Sequence, residues 1–249
     1  MTVLLVAHGT RNPHGVALIG DLAAAMRARL ATRVAVSFVD VLGPSPSEAL
    51  RVLSTDATVV PAFLGRGYHV RRDIPAHLAQ AGLPPTTVTD SLGPSDEVLA
   101  ALVGRLDEAG RRPGDAVVLA AAGSSDPLAI ADIEGVAERL APLVGVPVTI
   151  AFAAPAPNAP QFPGVVDAVS GLRRDHRRVA VASHLLAPGL FQTRLERSGA
   201  EVVAAPLGLH PLIVDRACTL ASFGELSSYH CDNSPVLDPV SRRRGDSRV

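Results

Sequence analysis

The chain has 249 residues, 47% of them apolar, and a net charge of −1. That is enough apolar material for one large or two small cores, with no charge excess to recruit nucleic acid or an anionic membrane. All 23 basic residues are arginine, which excludes chemistry that needs a lysine amine: Schiff bases, pyridoxal-phosphate attachment and the Walker-type phosphate loop.

The first apolar run, Val3–Ala7, reads as a strand. No basic segment precedes it, and no run in the chain reaches the ~20 apolar residues of a membrane span. A soluble, cytoplasmic protein is expected, with no membrane or nucleic-acid partner. A loop at His8–His14 leads to a helix near Gly15–Leu30. Val34–Val39 is the second strand, and a Pro/Ser segment at Gly43–Ser47 opens a helix through Leu53. Thr58–Phe63 is a third strand, and Asp73–Gln80 lies in a third helix ended by Gly82 and Pro84–Pro85. A short strand at Thr86–Thr89 and a helix near Ser95–Glu108 follow. This alternation predicts a parallel sheet with helices on both faces.

After a polar break at Arg111–Asp115 the order repeats. Ala116–Ala121, Val146–Phe152, Val179–Ser183 and Glu201–Ala205 are strands, with a Pro/Ala loop at Ala153–Pro163. Helices are predicted at Pro127–Leu143, Pro188–Ser198 and Leu209–Phe223. The fold class is therefore α/β, as two tandem units: residues 1–112, residues 113–223, and a tail, 224–249, expected to be disordered. The tail holds Cys231 and the Arg242–Arg244 run, read as a solvated terminus. Cys218 is read as a half-buried helix residue; two cysteines with no CxxC make neither a disulfide framework nor a zinc site.

Three ordered matches point to an internal duplication. Leu4–Pro13 aligns with Val118–Pro127, Phe63–Ile74 with Leu185–Glu196, and Ser91–Leu102 with Pro206–Ala217. In this alignment Ala122 stands for His8 and Phe191 for His69, while Gly123, Asp126–Pro127, Gly189 and Arg194 persist around them. One half keeps two histidines and the other keeps only their scaffold.

His8 and His69 both lie beyond the C-terminal ends of predicted parallel strands, the edge where ligands bind in open α/β sheets. Glycines flank them: Gly9 beside His8, Gly65 and Gly67 before His69. Neutral imidazole is a good ligand for first-row divalent metals, and with a pKa of about 6.5 it also accepts protons near neutrality. Two such ligands, with no thiolate or carboxylate cluster, suit a metal held transiently. Arg11, Arg66, Arg71 and Arg72 surround them and suit a substrate bearing several carboxylates. Asp40, ending the second strand, is a candidate to assist metal or proton transfer. Asp73 is read as a helix cap or an arginine partner, and His14 and His77 as surface or structural. His184 and His210 fall at the matching edge of the second unit.

Ala7–Pro13 (AHGTRNP) and Phe63–Pro75 (FLGRGYHVRRDIP) resemble the sirohydrochlorin chelatase family. The resemblance extends over about residues 1–223 as a long, two-domain form. It implies paired flavodoxin-like domains, with His8 and His69 as the catalytic and metal-handling histidines. It implies insertion of a divalent metal, Fe²⁺ favoured or Co²⁺, into sirohydrochlorin for sirohaem or cobalamin. No tightly bound cofactor is expected, and a monomer is preferred because two units can complete a cleft. Asp40 departs from the glutamate of many relatives. Two other readings stand beside this one. A histidine-phosphatase-like phosphotransfer enzyme would want an arginine where Ala7 precedes His8. A non-catalytic tetrapyrrole- or metal-binding module would need the basic cleft but no proton acceptor.

Overall fold

The apolar runs Thr2–Ala7, Ala57–Pro61, Ala116–Ala121 and Val179–His184 are buried along nearly their whole length. Parallel strands covered on both faces require this. The structure is a computed structural model describing residues 2–53, 57–82, 87–155, 162–175 and 178–223. In the first half β1 (Thr2–Ala7) pairs in parallel with β2 (Arg33–Phe38) on one side and β3 (Ala57–Pro61) on the other. In the second half β4 (Ala116–Ala121) lies between β5 (Val148–Phe152) and β6 (Val179–His184), and β7 (Val202–Val203) extends β6. The strand orders are β2-β1-β3 and β5-β4-β6-β7, all parallel.

Eight α-helices connect these strands among the described residues: α1 (Pro13–Leu30), α2 (Pro46–Leu53), α3 (Ile74–Ala81), α4 (Asp96–Glu108), α5 (Pro127–Val144), α6 (Val165–Asp175), α7 (Leu190–Glu196) and α8 (Pro211–Phe223). None of the described helices is long and apolar enough to cross a membrane.

Period-two alternation divides each central strand between two cores. Val3, Leu5 and Ala7 of β1, with Val117, Leu119 and Ala121 of β4, enter one core shared by both halves. Leu4 and Val6 face a separate cluster under α2 and α3, while Val118 and Ala120 face another that includes Val165 and Val169 of α6. The last helix of each half crosses over. α4 packs against β6 and α5 of the second half, and α8 against α1 and β3 of the first.

The sequence reading needs four adjustments. α6 was absent from it; a buried Val165, Ala168 and Val169 stripe carries this helix. The expected strand at Thr86–Thr89 is, among the described residues, one parallel bridge from Val88 to Val59. The fourth strand of the second half shortens to two residues. The third helix is preceded by a π-helical turn, His69–Asp73, so its helical path begins four residues before Asp73. Pro84–Pro85, residues 156–161 of the Pro/Ala loop and the whole 224–249 tail, with Cys231 and Arg242–Arg244, lie outside the described residues.

The duplication is visible in backbone hydrogen bonds. The N–H groups of Val39 and Asp40 donate to Ala7 and His8, and those of Ala153 and Ala154 donate to Ala121 and Ala122. Asn12 caps α1 through the N–H of His14, and Asp126 caps α5 through that of Leu128. A proline follows each cap at the first helical position, where no N–H is needed.

Candidate functional site

β1 ends at Ala7 and delivers His8 to an exposed loop. The next residue must be glycine. Gly9 has φ +99°, and a Cβ there would lie 2.1 Å from the carbonyl oxygen of Asp40. Gly123 repeats this at φ +121°, with Ala154 oxygen 2.2 Å from a built Cβ. The tight approach lays the β1–α1 loop against the β2–α2 loop and fixes where His8 emerges.

His69 opens the π-helical turn, where the N–H of Ile74 donates to the His69 carbonyl. Pro75 accounts for the widening: it has no N–H for the Arg71 carbonyl, and its ring crowds that oxygen in a regular α-turn. Single π turns of this kind concentrate at functional sites. Here the turn brings His69 to His8, with ring centroids 4.5 Å apart and planes at 90°. Phe63 stacks near His69 at 6.2 Å and Tyr68 meets it edge-on at 6.1 Å.

The partners of the two rings fix their chemistry. His69 Nδ1 lies 2.6 Å from Asp73 Oδ2, and His8 Nδ1 lies 3.0 Å from its neighbour's carbonyl, Gly9 O. A carbonyl or carboxylate only accepts, so in the neutral rings each Nδ1 carries the hydrogen and each Nε2 keeps its lone pair. Such a carboxylate or carbonyl partner is the usual second support of a metal-binding histidine. The sequence reading of Asp73 as a helix cap or arginine partner is thus corrected: it caps no helix through its side chain and, among the described residues, pairs with His69 rather than an arginine. Its spacing of four from His69 on a helical path was the available signal. Among the described residues no group of three or more His, Cys, Asp or Glu side chains is placed to hold a metal.

The four candidate arginines divide in two. Arg11 and Arg72 are exposed, with no carboxylate partner among the described residues. Arg66 and Arg71 reach into the second half. Arg66 donates through its backbone N–H and through Nε and Nη2 to Asp132, whose side chain is only 3% exposed. Arg71 donates through Nη2 to Asp126 Oδ2 at 2.6 Å and through Nε to the Arg66 carbonyl. The Asp132 hydrogen bond raises the Arg66 pKa further. Burial would push the Asp126 carboxyl up, but Arg71 and the Leu128 N–H carry it below the usual range.

Asp40 is exposed, and its Oδ1 accepts from the N–H of Val41, in its own loop. Val41 sits at φ +66°, a strained conformation for a β-branched residue. His184 is buried at the end of β6, its Nε2 unpartnered among the described residues; burial lowers its pKa to about 4, against an opposing pull from Asp132. His210 Nδ1 accepts from the N–H of Leu212 and caps α8, as Ser95 caps α4. Its ring packs against Gly104. His14 is exposed on α1, and His77 Nδ1 stands 3.5 Å from Ser47 Oγ. Phe191, at the second-half position of His69, is exposed beneath the Arg194 guanidinium at 5.8 Å.

Residues 2–109 match the CbiX family model. The N-terminal half of the chain is thus similar to the CbiX family. A sirohydrochlorin cobaltochelatase of Methanothermobacter thermautotrophicus is 39% identical over 77 residues, which are 29% of this chain and 54% of that protein. The chain thus matches about half the length of that curated relative. In fold the likeness covers both halves. SirB from Bacillus subtilis with Fe³⁺ superimposes with a TM-score of 0.76 at 23% identity, over 90% of this chain and 94% of that one. CbiX, described as the terminal enzyme of sirohaem biosynthesis in denitrifying bacteria, superimposes with a TM-score of 0.70 at 23% identity, over 89% and 98%. The CbiX model covers the half that holds His8 and His69.

Proposed function

We propose that this chain is a metal chelatase of the lyase class that inserts Fe²⁺ or Co²⁺ into sirohydrochlorin. The observation that carries the reading is the His8–His69 pair: two rings 4.5 Å apart, each tied at Nδ1, each with an Nε2 that has no partner among the described residues. The N-terminal family match and the names of the relatives support it. Residues 1–112 are the catalytic unit in this reading, and residues 113–223 close the site.

Metallation exchanges two pyrrole N–H protons for one divalent cation. Nε2 of His8 and His69 would hold the metal, which is substrate here, with coordination positions left open to the incoming ring nitrogens. As the metal passes to the macrocycle, those lone pairs are released and become acceptors for the departing protons. Ligand and base are therefore the same atoms at successive moments. Arg11 and Arg72 have no carboxylate partner among the described residues and would hold the substrate carboxylates, together with the Nη1 groups that Arg66 and Arg71 leave without a described partner. Exposed Val41, Leu42, Tyr68, Leu128, Leu190 and Phe191 all follow strand ends and suit the flat apolar ring.

The test is anaerobic incubation of the full chain with metal-free sirohydrochlorin and Fe²⁺ or Co²⁺ in parallel, followed by absorbance. Metallated product should form, and His8→Ala and His69→Ala should each slow it by about 10²-fold or more. Near-wild-type rates in both variants, or band shifts without metallated product, would overturn the reading.

A further inference from the structure

The internal repeat relates two contacts between the halves, and they are not chemically alike. In one, the loop after β3 of the first half rests on α5: Gly67 faces Ala129, and a Cβ at Gly65 would touch Asp132. In the other, the equivalent loop of the second half rests on α1: Pro188 oxygen faces Gly15. The alignment places Arg66 opposite Pro188, Arg71 opposite Thr193, Asp126 opposite Asn12 and Asp132 opposite Leu18. The second contact therefore has no cation on its loop and no carboxylate on its helix at these positions. Both ion pairs sit on the one contact that carries a histidine.

We infer that Asp126 and Asp132, from the half that lacks counterparts of His8 and His69, are positioning residues for His69, clamping residues 66–71 so that its ring stands against that of His8. Asp132 is buried and takes three donors from Arg66, one of them the backbone N–H, so it fixes the main chain three residues before His69. Asp126 divides its oxygens: Oδ1 caps α5, and Oδ2 takes Arg71 inside the π-helical turn. Arg71 Nε closes the loop on the Arg66 carbonyl. A buried carboxylate costs desolvation that the leucine in the equivalent position of α1 avoids. Its retention on this side alone follows if the geometry of His69 depends on it.

The inference rests on the metal-handling reading of His8 and His69, and the test separates the two. Co²⁺ alone is titrated into the full chain and followed by its visible ligand-field absorption, with thermal unfolding and sirohydrochlorin metallation measured alongside. Asp126→Asn retains an oxygen to cap α5, as Asn12 does for α1, and loses the Arg71 acceptor. Asp126→Asn and Asp132→Asn should each weaken Co²⁺ binding about 10-fold, within the range for groups that orient a ligand, and change the absorption band. kcat for metallation should fall in the same variants. Wild-type Co²⁺ affinity and spectrum in both folded variants, even with a lowered Tm, would overturn the inference. If Asp132→Asn does not fold, Asp126→Asn and Arg71→Gln decide by the same readout. Weakened Co²⁺ binding with no metallation by the wild type would leave the clamp standing and remove the chelatase reading. Metallation with unchanged Co²⁺ binding in the variants would do the reverse.

Discussion

Asp73 and Gly9, neighbours of the two histidines, help to set how the pair behaves. Asp73 holds the Nδ1 hydrogen of His69 and so leaves Nε2 as the free acceptor. Asp73→Ala should release the ring and its tautomer and lower Co²⁺ affinity by about 10- to 100-fold; unchanged affinity would show that the turn alone orients His69. The spacing of this pair was present in the sequence, but a residue just before a helix reads first as a cap, and only the π turn turns its carboxylate to the ring. Gly9 sets His8 in the same way. Gly9→Ala forces a side chain onto Asp40 oxygen at positive φ and should cost about 1–3 kcal/mol, read as a lower urea midpoint. A wild-type midpoint would mean that the two loops part freely. His184 is a pH-sensitive residue. Its folded pKa of about 4 lies below the unfolded value, so the unfolded chain binds the extra proton between them. Stability is thus complete above pH ~6.5 and falls by about 3 kcal/mol as pH drops toward 4. His184→Leu should flatten that slope in urea melts between pH 7 and 4.5; an identical slope would place the acid sensitivity elsewhere.

At the level of elements, strands were the easiest to read because both faces of β1, β4 and β6 are buried, which makes them unbroken apolar runs. The repeat was readable because the tight loops demand glycine at 9 and 123 and capping residues at 12 and 126. α6 was hidden because only three of its residues are buried. The clamp was hidden because its partners are 66 and 55 positions apart in the chain; four arginines near two histidines read simply as a basic patch. The second half preserves the elements but not the chemistry. At the positions of His69 and Asp73 it carries Phe191 and Leu195, and Leu195 is fully buried. Restoring Ala122→His and Phe191→His should therefore leave Co²⁺ stoichiometry at about one per chain, since no carboxylate would set the new ring's tautomer. Two equivalent sites in calorimetry would show that the scaffold alone suffices.

The whole molecule is joined more deeply than a tandem of separate domains. The inner faces of both sheets meet in one core, and α4 and α8 each complete the opposite half. Residues 1–112 on their own would expose Val3, Leu5, Ala7, Val60 and Ala62 of the inner face together with the buried side of α4. Large exposed apolar faces drive association, and the internal repeat makes a second copy the natural replacement for the missing half, its α4 taking the place of α8. The fragment should therefore be a dimer in light scattering, whereas the full chain should be a monomer. The replacement is imperfect. In such a dimer, Arg66 would meet Leu18 where it now meets Asp132, and Arg71 would meet Asn12 where it now meets Asp126. The fragment dimer should accordingly dissociate on dilution and bind Co²⁺ about 10-fold more weakly than the full chain, the same loss expected from the clamp variants. A stable, folded monomer of 1–112 would show that the shared core is dispensable. A dimer with full-chain Co²⁺ affinity would show that the second half contributes burial without positioning.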